Sequence, residues 1–490
     1  MAEDNVQSQK NPGNIEYMPD ELARFVQRET YSLLIKGFAG TGKTTLALTI
    51  LKALGIKSNF FYISTRISPK QLFQYYSWLP EFVEQPNNAG PGEMVESGTG
   101  LSSFEDARLD EPESLFERIT NQLMDVKSPV IIIDSWDAIA SFMDKEARLN
   151  NESVLQTWRE RAGAKLIFIG EHPDDTTLDF LVDGIVELKQ NYYDSIRIRE
   201  AFLLKLRGVI INRPSYIYSL DNSIFKSYNP FNPMEVMPDF MQSSADAKKN
   251  RELEKTYSQQ PSHQTPSYSD LDRMLGGFPK RGIILIELDQ HVNTRVGMAL
   301  LGRLMSGFIA QDSPILFHPF DGTDPDSAMS YIDPFLSLLP KKKLFKIIWP
   351  DSMQAIRSEY VQILKTKGAA KKVEQLQSIM LQMRKSRSGK PFVNIMGTDI
   401  VQNLYDDKAI RGNIGSFLST VRTMADLSVI VTRHSHPFLE YLAELSDIHI
   451  KLLMMNGTLF LQSIIPWSNL YAVTFLKSGK TIDIRLDPMV

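Results

Sequence analysis

Residues 37–44 read Gly37-Phe38-Ala39-Gly40-Thr41-Gly42-Lys43-Thr44, a complete G-x-x-x-x-G-K-[ST] pattern placed directly after the apolar run Ser32-Leu33-Leu34-Ile35. Few short patterns restrict a fold so tightly. A buried strand must deliver the chain to a glycine-rich turn whose backbone N–H groups close around phosphate oxygens. A helix must then begin at once, so that its positive end faces the same anion. Leu46, Ala47 and Ile50 continue at helical spacing. The motif predicts a nucleoside triphosphate site for ATP with Mg²⁺. Gly37, Gly40, Thr41, Gly42 and Thr45 hold phosphate, Lys43 reaches the β and γ phosphates as a point charge, and the Thr44 hydroxyl ligates the metal.

At 490 residues the chain exceeds one hydrophobic core, and two domains are expected from domain sizes of about 100–250 residues. With 43% apolar and 23% charged residues it is a globular composition, and a net charge of −4 gives no global drive toward nucleic acid or anionic membrane. The absence of cysteine removes disulfides and thiolate metal sites. Met1 to Tyr17 is polar, and no apolar run reaches the roughly 18 residues of a membrane-spanning helix. A soluble, cytoplasmic protein without a membrane partner is the expectation.

Strand-like runs at Leu33–Ile35, Phe60–Ile63, Val130–Ile133, Leu166–Ile169 and Ile185–Leu188 alternate with helical patterns, which reads as α/β with a mainly parallel sheet. Asp110-Glu111-Pro112-Glu113 has the form of a capped helix start, and Leu115, Ile119 and Leu123 then make one core-facing stripe. Asn87–Ser103, rich in glycine, reads as a surface loop. From about Met237 to Pro266 the chain turns to Ser, Gln, Lys and Pro, as a linker does. The division expected is an N-terminal extension 1–30, a first domain 31–236, a linker 237–266 and a second domain 267–490 that restarts the strand–loop–helix theme.

Within the first domain, the buried run Val130-Ile131-Ile132-Ile133 ends in Asp134, where the metal-side carboxylate of a phosphate-loop protein belongs. Ser135 and Asp137 are expected to support it. Glu171, just past Leu166–Ile169, is a second strand-end acid. Arg197, Arg199, Lys205 and Arg207 all occupy odd positions of one strand, which predicts a single basic face.

Gly37–Thr44, Ile133-Asp134-Ser135, Asp183-Gly184 and Lys205-Leu206-Arg207-Gly208 together resemble the ATPase superfamily of RecA and KaiC, the KaiC-like branch in particular. The resemblance implies two tandem RecA-like domains, twisted parallel sheets flanked by helices. It also implies that Lys205 and Arg207 reach the γ-phosphate held by a neighbouring subunit, hence a homo-oligomer. In that family the strand after the phosphate-loop helix ends in the glutamate that activates water. Here Ser64-Thr65-Arg66-Ile67-Ser68-Pro69 puts Arg66 and Ile67 at that place, so Glu171 is either a substitute base or a solvated strand-end acid, and slow hydrolysis or nucleotide sensing alone is expected. In the second half, Leu271–Gly282 is similar to the KaiC-like lead-in to a phosphate loop, but Asn293 and Thr294 stand for the loop glycine and lysine and Gly397 for the metal-side aspartate. A degenerate, non-nucleotide-binding second domain follows from that comparison.

Several further patterns are weaker. Asp321, Asp324 and Asp326 lack the glutamate that closes a calcium loop, and Asx turns account for them. His434 and His436 have no third ligand at readable spacing. Lys341-Lys342-Lys343, Lys371, Lys372, Arg384, Lys385 and Arg387 border a long helical segment without interleaved aromatics, so nucleic acid is not favoured. The phosphate-loop domain with Ser64–Pro69 followed by a divergent domain is also similar to the archaeal gas-vesicle regulatory protein D family. That likeness implies control of another protein's activity or abundance and an archaeal origin, and the degenerate second domain is expected to contact the partner. The alternative is a RecA-type ATPase of DNA recombination or repair, and a third is an autokinase, which would need phosphorylatable residues near an active loop.

Overall fold

The computed structural model describes residues 17–237 and 271–490, apart from the segments 84–94, 98–99, 109–110, 124–125, 144–153, 155–156, 177, 272–273, 321, 337–343, 351–359, 365–368, 387–388, 399–414, 416–417 and 479–480. The chain divides into two units, Met1–Asn229 with Met489–Val490, and Pro230–Pro488.

The first unit runs α1 Asp20–Val26, β1 Tyr31–Gly37, α2 Lys43–Ala53, β2 Phe60–Ser64, α3 Pro69–Tyr75, α4 Leu79–Phe82, β3 Val95–Ser97, β4 Gly100–Asp106, α5 Pro112–Leu123, β5 Val130–Asp134, α6 Trp136–Ala140, β6 Lys165–Gly170, β7 Gly184–Tyr193, β8 Ile196–Leu206, β9 Ser215–Ser219 and β10 Lys226–Ser227. Its sheet has the order β10-β9-β8-β7-β1-β6-β5-β2-β4-β3. The central strands from β7 to β4 are parallel, while β8, β9 and β10 on one side and β3 on the other run antiparallel to their neighbours. All five expected strand runs lie inside β1, β2, β5, β6 and β7. They read as continuous apolar segments because both faces of the sheet are covered. On one face Leu33 and Ile35 pack with Leu46 and Ile50 of α2, and on the other Leu34, Ile131 and Ile133 pack with Leu115 and Ile119 of α5.

Two regions differ from expectation. Within Asn87–Ser103, residues 95–97 and 100–103 are strand, β4 lying parallel to β2 with Phe60 opposite Ser102; the remainder of that segment lies outside the described residues. Backbone pairing holds these strands, and a Gly- and Ser-rich sequence carries no alternation that would announce them. The expected N-terminal extension contains α1, whose Leu22, Phe25 and Val26 are fully buried in the same core as β1. Residues 238–270, hence nearly all of the expected linker, and Asp110 lie outside the described residues.

The second unit runs β11 Gly282–Leu288, α7 Thr294–Ala310, β12 Ile315–Phe317, α8 Pro325–Leu336, β13 Phe345–Pro350, β14 Val361–Leu364, α9 Ala369–Ser386, β15 Val393–Gly397, β16 Leu427–Arg433, α10 Leu439–Leu445, β17 Ile448–Met455, β18 Thr458–Ile465, β19 Leu470–Ser478 and β20 Thr481–Pro488. Its order is β14-β13-β12-β15-β16-β11-β17-β18-β19-β20. Strands β5, β6, β1, β7 and β8 of the first sheet thus have β15, β16, β11, β17 and β18 as counterparts, with the same parallel and antiparallel pairings. The chain is therefore two tandem RecA-like α/β domains. Asp324 accepts the Ser327 N–H at 2.9 Å at the start of α8, the Asx arrangement expected, while Asp321 lies outside the described residues. No helix among the described residues is long and apolar enough to cross a membrane.

Candidate functional site

Strand β1 ends at Gly37 and α2 begins at Lys43, so the glycine-rich turn sits at the carboxyl edge of the central parallel strand, where α/β folds bind ligands. Gly40 and Gly42 have φ of 79° and 89°, and a Cβ on Gly42 would lie 2.7 Å from the Leu220 side chain. Only glycine meets both demands at position 42. A Cβ on Gly37 would come within 2.3 Å of the Leu188 carbonyl oxygen, so β7 braces the start of the turn from behind. Tyr218 of β9 adds a second brace by donating its hydroxyl to the Thr41 carbonyl at 2.5 Å.

Lys43 is buried, and its ammonium donates to the carbonyls of Gly37 at 2.7 Å and Phe38 at 3.0 Å. Burial lowers its pKa; Asp134 and Asp137 oppose that shift, and Arg66 adds to it. One residue on, the Thr44 hydroxyl donates to Asp134 Oδ2 at 2.7 Å. The same carboxylate oxygen accepts the Tyr62 hydroxyl at 2.5 Å. Burial, reinforced by Asp134, pushes the Tyr62 phenol far up, so it stays protonated and remains a donor. A hydroxyl and a carboxylate side by side are hard oxygen donors suited to Mg²⁺, and the open space beside Gly40 leaves the turn free to approach phosphate. These residues fit a Mg²⁺–nucleotide. Thr44 and Asp134 would hold the metal side, directly or through water, and the Gly40–Lys43 turn the phosphates. Thr45 turns its hydroxyl to Tyr76 at 3.0 Å, which leaves its backbone N–H as the group it can offer.

Thr65 ties β2 to β5: its N–H donates to the Asp134 carbonyl at 2.7 Å and its hydroxyl accepts the Ser135 N–H at 2.9 Å. Beyond it, Arg66 forms an ion pair with Glu171 at the end of β6. Arg66 is 55% exposed at the side chain and Glu171 only 20%. The backbone N–H of Glu171 is in turn held by Asp137 of α6. The expected substitute base is therefore engaged by the arginine that stands in the usual place of the acid.

The predicted single basic face of β8 is not formed. Lys205 is opposite Ile185 and Leu203 opposite Val186, so a bulge at Leu204 moves Lys205 to the face opposite Leu203. Alternation from odd numbers fails because one extra residue shifts every later side chain. Lys205 donates to the Asp179 carbonyl at 2.8 Å. Arg207 pairs with Asp183 at 3.1 Å, and Arg159 pairs with the other oxygen of that carboxylate at 2.8 Å. Arg199 is buried against the Val490 carbonyl, and Arg197 is exposed.

Residues 22–205 match the sequence family described as GvpD gas vesicle protein, P-loop domain. That match falls within the first unit. Two relatives from Halobacterium salinarum (strain ATCC 700922 / JCM 11081 / NRC-1) align along nearly the whole chain. Protein GvpD2 is 21% identical over 511 residues, with 97% of each chain covered. Protein GvpD1 is 21% identical over 549 residues, with 96% of each covered. Sequence reasoning on this domain missed Tyr62 and Thr65. Their signal was present: Tyr62 alternates with Phe61 on β2, and Ser64 pairs with Asp134 across the sheet, which puts β2 side chains beside the carboxylate.

In the second unit β11 ends at Leu288 and α7 begins at Thr294, the spacing of Gly37 to Lys43, so Thr294 stands at the position of Lys43 and Asn293 at that of Gly42. Asn293 caps α7, accepting the Arg295 N–H at 2.9 Å. Val130 pairs with Lys165 and Val393 with Leu427, so Gly397 corresponds to Asp134 and Arg433 to Glu171. Arg433 donates to the Val292 carbonyl and to the Thr294 hydroxyl, both at 2.5 Å. Glu287, at the position of Lys36, is buried and binds His434 Nδ1 at 2.6 Å and His449 Nε2 at 2.9 Å, with Lys451 at 3.7 Å. Burial pushes its carboxyl up, but these hydrogen bonds and Lys451 prevail and hold it at about 2. His436 turns elsewhere, accepting the Phe438 N–H at 3.3 Å. No group of three or more His, Asp or Glu among the described residues is placed to hold a metal ion. Arg384 of α9 pairs with Asp426 at 3.4 Å, and Lys341, Lys342, Lys343 and Arg387 lie outside the described residues.

Proposed function

We propose that the protein is an ATP-binding regulatory protein of gas-vesicle biology, in which the first domain binds Mg²⁺–ATP and the second contacts a protein partner. One observation carries the nucleotide reading: Thr44 and Asp134 share a hydrogen bond of 2.7 Å immediately beside the buried Lys43. Lys43 supplies charge, Thr44 and Asp134 orient the metal side, and the Gly40–Lys43 turn offers backbone donors. A bound magnesium ion supplies neutralisation of phosphate charge. Slow hydrolysis is favoured because Arg66 occupies the place of the water-activating acid and engages Glu171. The gas-vesicle context is supported by the GvpD P-loop match and the two GvpD relatives. The second domain, with Asn293, Thr294 and Gly397 at the decisive positions, is suited to contacts other than nucleotide. Self-association, with Lys205 and Arg207 presented to a neighbour's nucleotide, belongs to the same proposal.

Titration of the full chain with a fluorescent ATP analogue tests it. Saturable, Mg²⁺-dependent binding that falls about tenfold or more in Lys43→Ala is the expected result, given the loss of a charged phosphate contact. Equal binding by the two proteins would overturn it.

A further inference from the structure

We propose that Arg66 is the residue by which this site distinguishes a nucleoside triphosphate from a diphosphate, and that the terminal phosphate competes with Glu171 for its guanidinium. The inference rests on the reading that the Gly37–Thr44 loop holds a nucleotide.

Position comes first. The backbone that carries Arg66 is fixed to the metal-side strand, since Ser64 pairs with Asp134 and the Thr65 N–H donates to the Asp134 carbonyl at 2.7 Å. Ser64 Oγ accepts the Ile67 N–H at 3.2 Å and so folds the chain back just past the strand. Arg66 is thereby anchored beside the oxygen donors that face the metal, and its charge is felt at Lys43, the residue that reaches toward the far end of a triphosphate.

Chemistry comes second. A guanidinium fork fits a carboxylate and a phosphate in the same planar geometry, so exchanging one for the other requires no new kind of contact. Arg66 is more than half exposed and free to re-pair, whereas Glu171 is anchored through its backbone N–H to Asp137. An acid at position 66 would have repelled a terminal phosphate; an arginine attracts it. A diphosphate lacks the group that competes, so Arg66 keeps Glu171 and contributes little to binding. Glu171 is here a positioning residue that sets how much triphosphate is needed to draw Arg66 away.

Affinities of the full chain for Mg²⁺–ADP and for a non-hydrolysable Mg²⁺–ATP analogue, measured by titration calorimetry, test this. Arg66→Ala should lose about tenfold or more in triphosphate affinity and keep its diphosphate affinity, which also reports that the domain is folded. Arg66→Lys should recover part of the loss. Glu171→Gln should strengthen triphosphate binding, and that gain should vanish in the Arg66→Ala background. An unchanged ratio of the two affinities in Arg66→Ala, or an equal loss of both, would overturn the inference while leaving the nucleotide reading intact. Wild-type protein that binds neither nucleotide would overturn the nucleotide reading and the inference together.

Discussion

Single side chains at this site are held by bonds to the loop and to one another. Lys43 is satisfied by two carbonyls of its own turn, and Asp134 by Thr44 and Tyr62 at one oxygen. A residue of opposite character lies in the second domain, where His318 follows β12. It is fully buried facing Asn394, and among the described residues neither side chain has a well-formed hydrogen bond. Burial lowers its pKa from the usual 6.5 to about 4. An unfolded chain therefore takes up a proton there near pH 6.5 that the folded chain refuses until about pH 4. Stability contributed by the neutral form is full above that window and is lost as pH falls through it, by about 3 kcal/mol at most. Thermal unfolding of wild type between pH 7 and pH 4.5 should show falling midpoints that flatten in His318→Leu; parallel curves would refute the assignment. Much of the candidate site was legible at this scale, because Gly37–Thr44 forms a complete motif after a strand and Asp134 ends an apolar run. Tyr62, a buried aromatic by composition, and His318, a single histidine after an apolar run, announce nothing until their neighbours across the sheet are known.

At the level of elements, strands buried on both faces are readable from apolar runs, and the five central ones of the first sheet were. Short elements held by one or two tertiary contacts are not. Helix α1 has only seven residues, and its place depends on Phe25 packing at the start of β7 and on Tyr216 donating to Glu21 at 2.6 Å. Gly184 makes that packing possible: an added Cβ would lie 2.8 Å from the Phe25 ring and 3.0 Å from Leu33. Gly184→Ala should therefore destabilise the first domain by about 1–3 kcal/mol through overpacking, and Phe25→Leu should recover part of it. A calorimetric midpoint unchanged in Gly184→Ala would show that α1 does not need this contact. The bulge at Leu204 was equally invisible, since nothing in an alternating strand marks the residue that leaves the ladder. It separates Lys205 from Arg197 and Arg199, so a basic face inferred by parity dissolves.

Across the whole molecule one sheet plan is used twice, and the same registered positions carry different charges. Lys36 of the first domain is Glu287 in the second, Glu171 is Arg433, Lys43 is Thr294 and Asp134 is Gly397. The strand order, which depends on apolar runs, is shared; the polar residues at the carboxyl edge are not. Restoring the lysine alone, Thr294→Lys in a Lys43→Ala chain, is expected to give no nucleotide binding by titration, and saturable binding would contradict this reading of the second domain. The arginine at position 433 explains why. It already grips the Val292 carbonyl and position 294, so a new ammonium would meet a like charge in a cradle whose vacancy for cations is filled from within. The guanidinium works as a latch: while it holds the loop closed on itself, a lysine placed at 294 would have to break those bonds before it could meet a phosphate, so stability would be lost before any affinity could be gained.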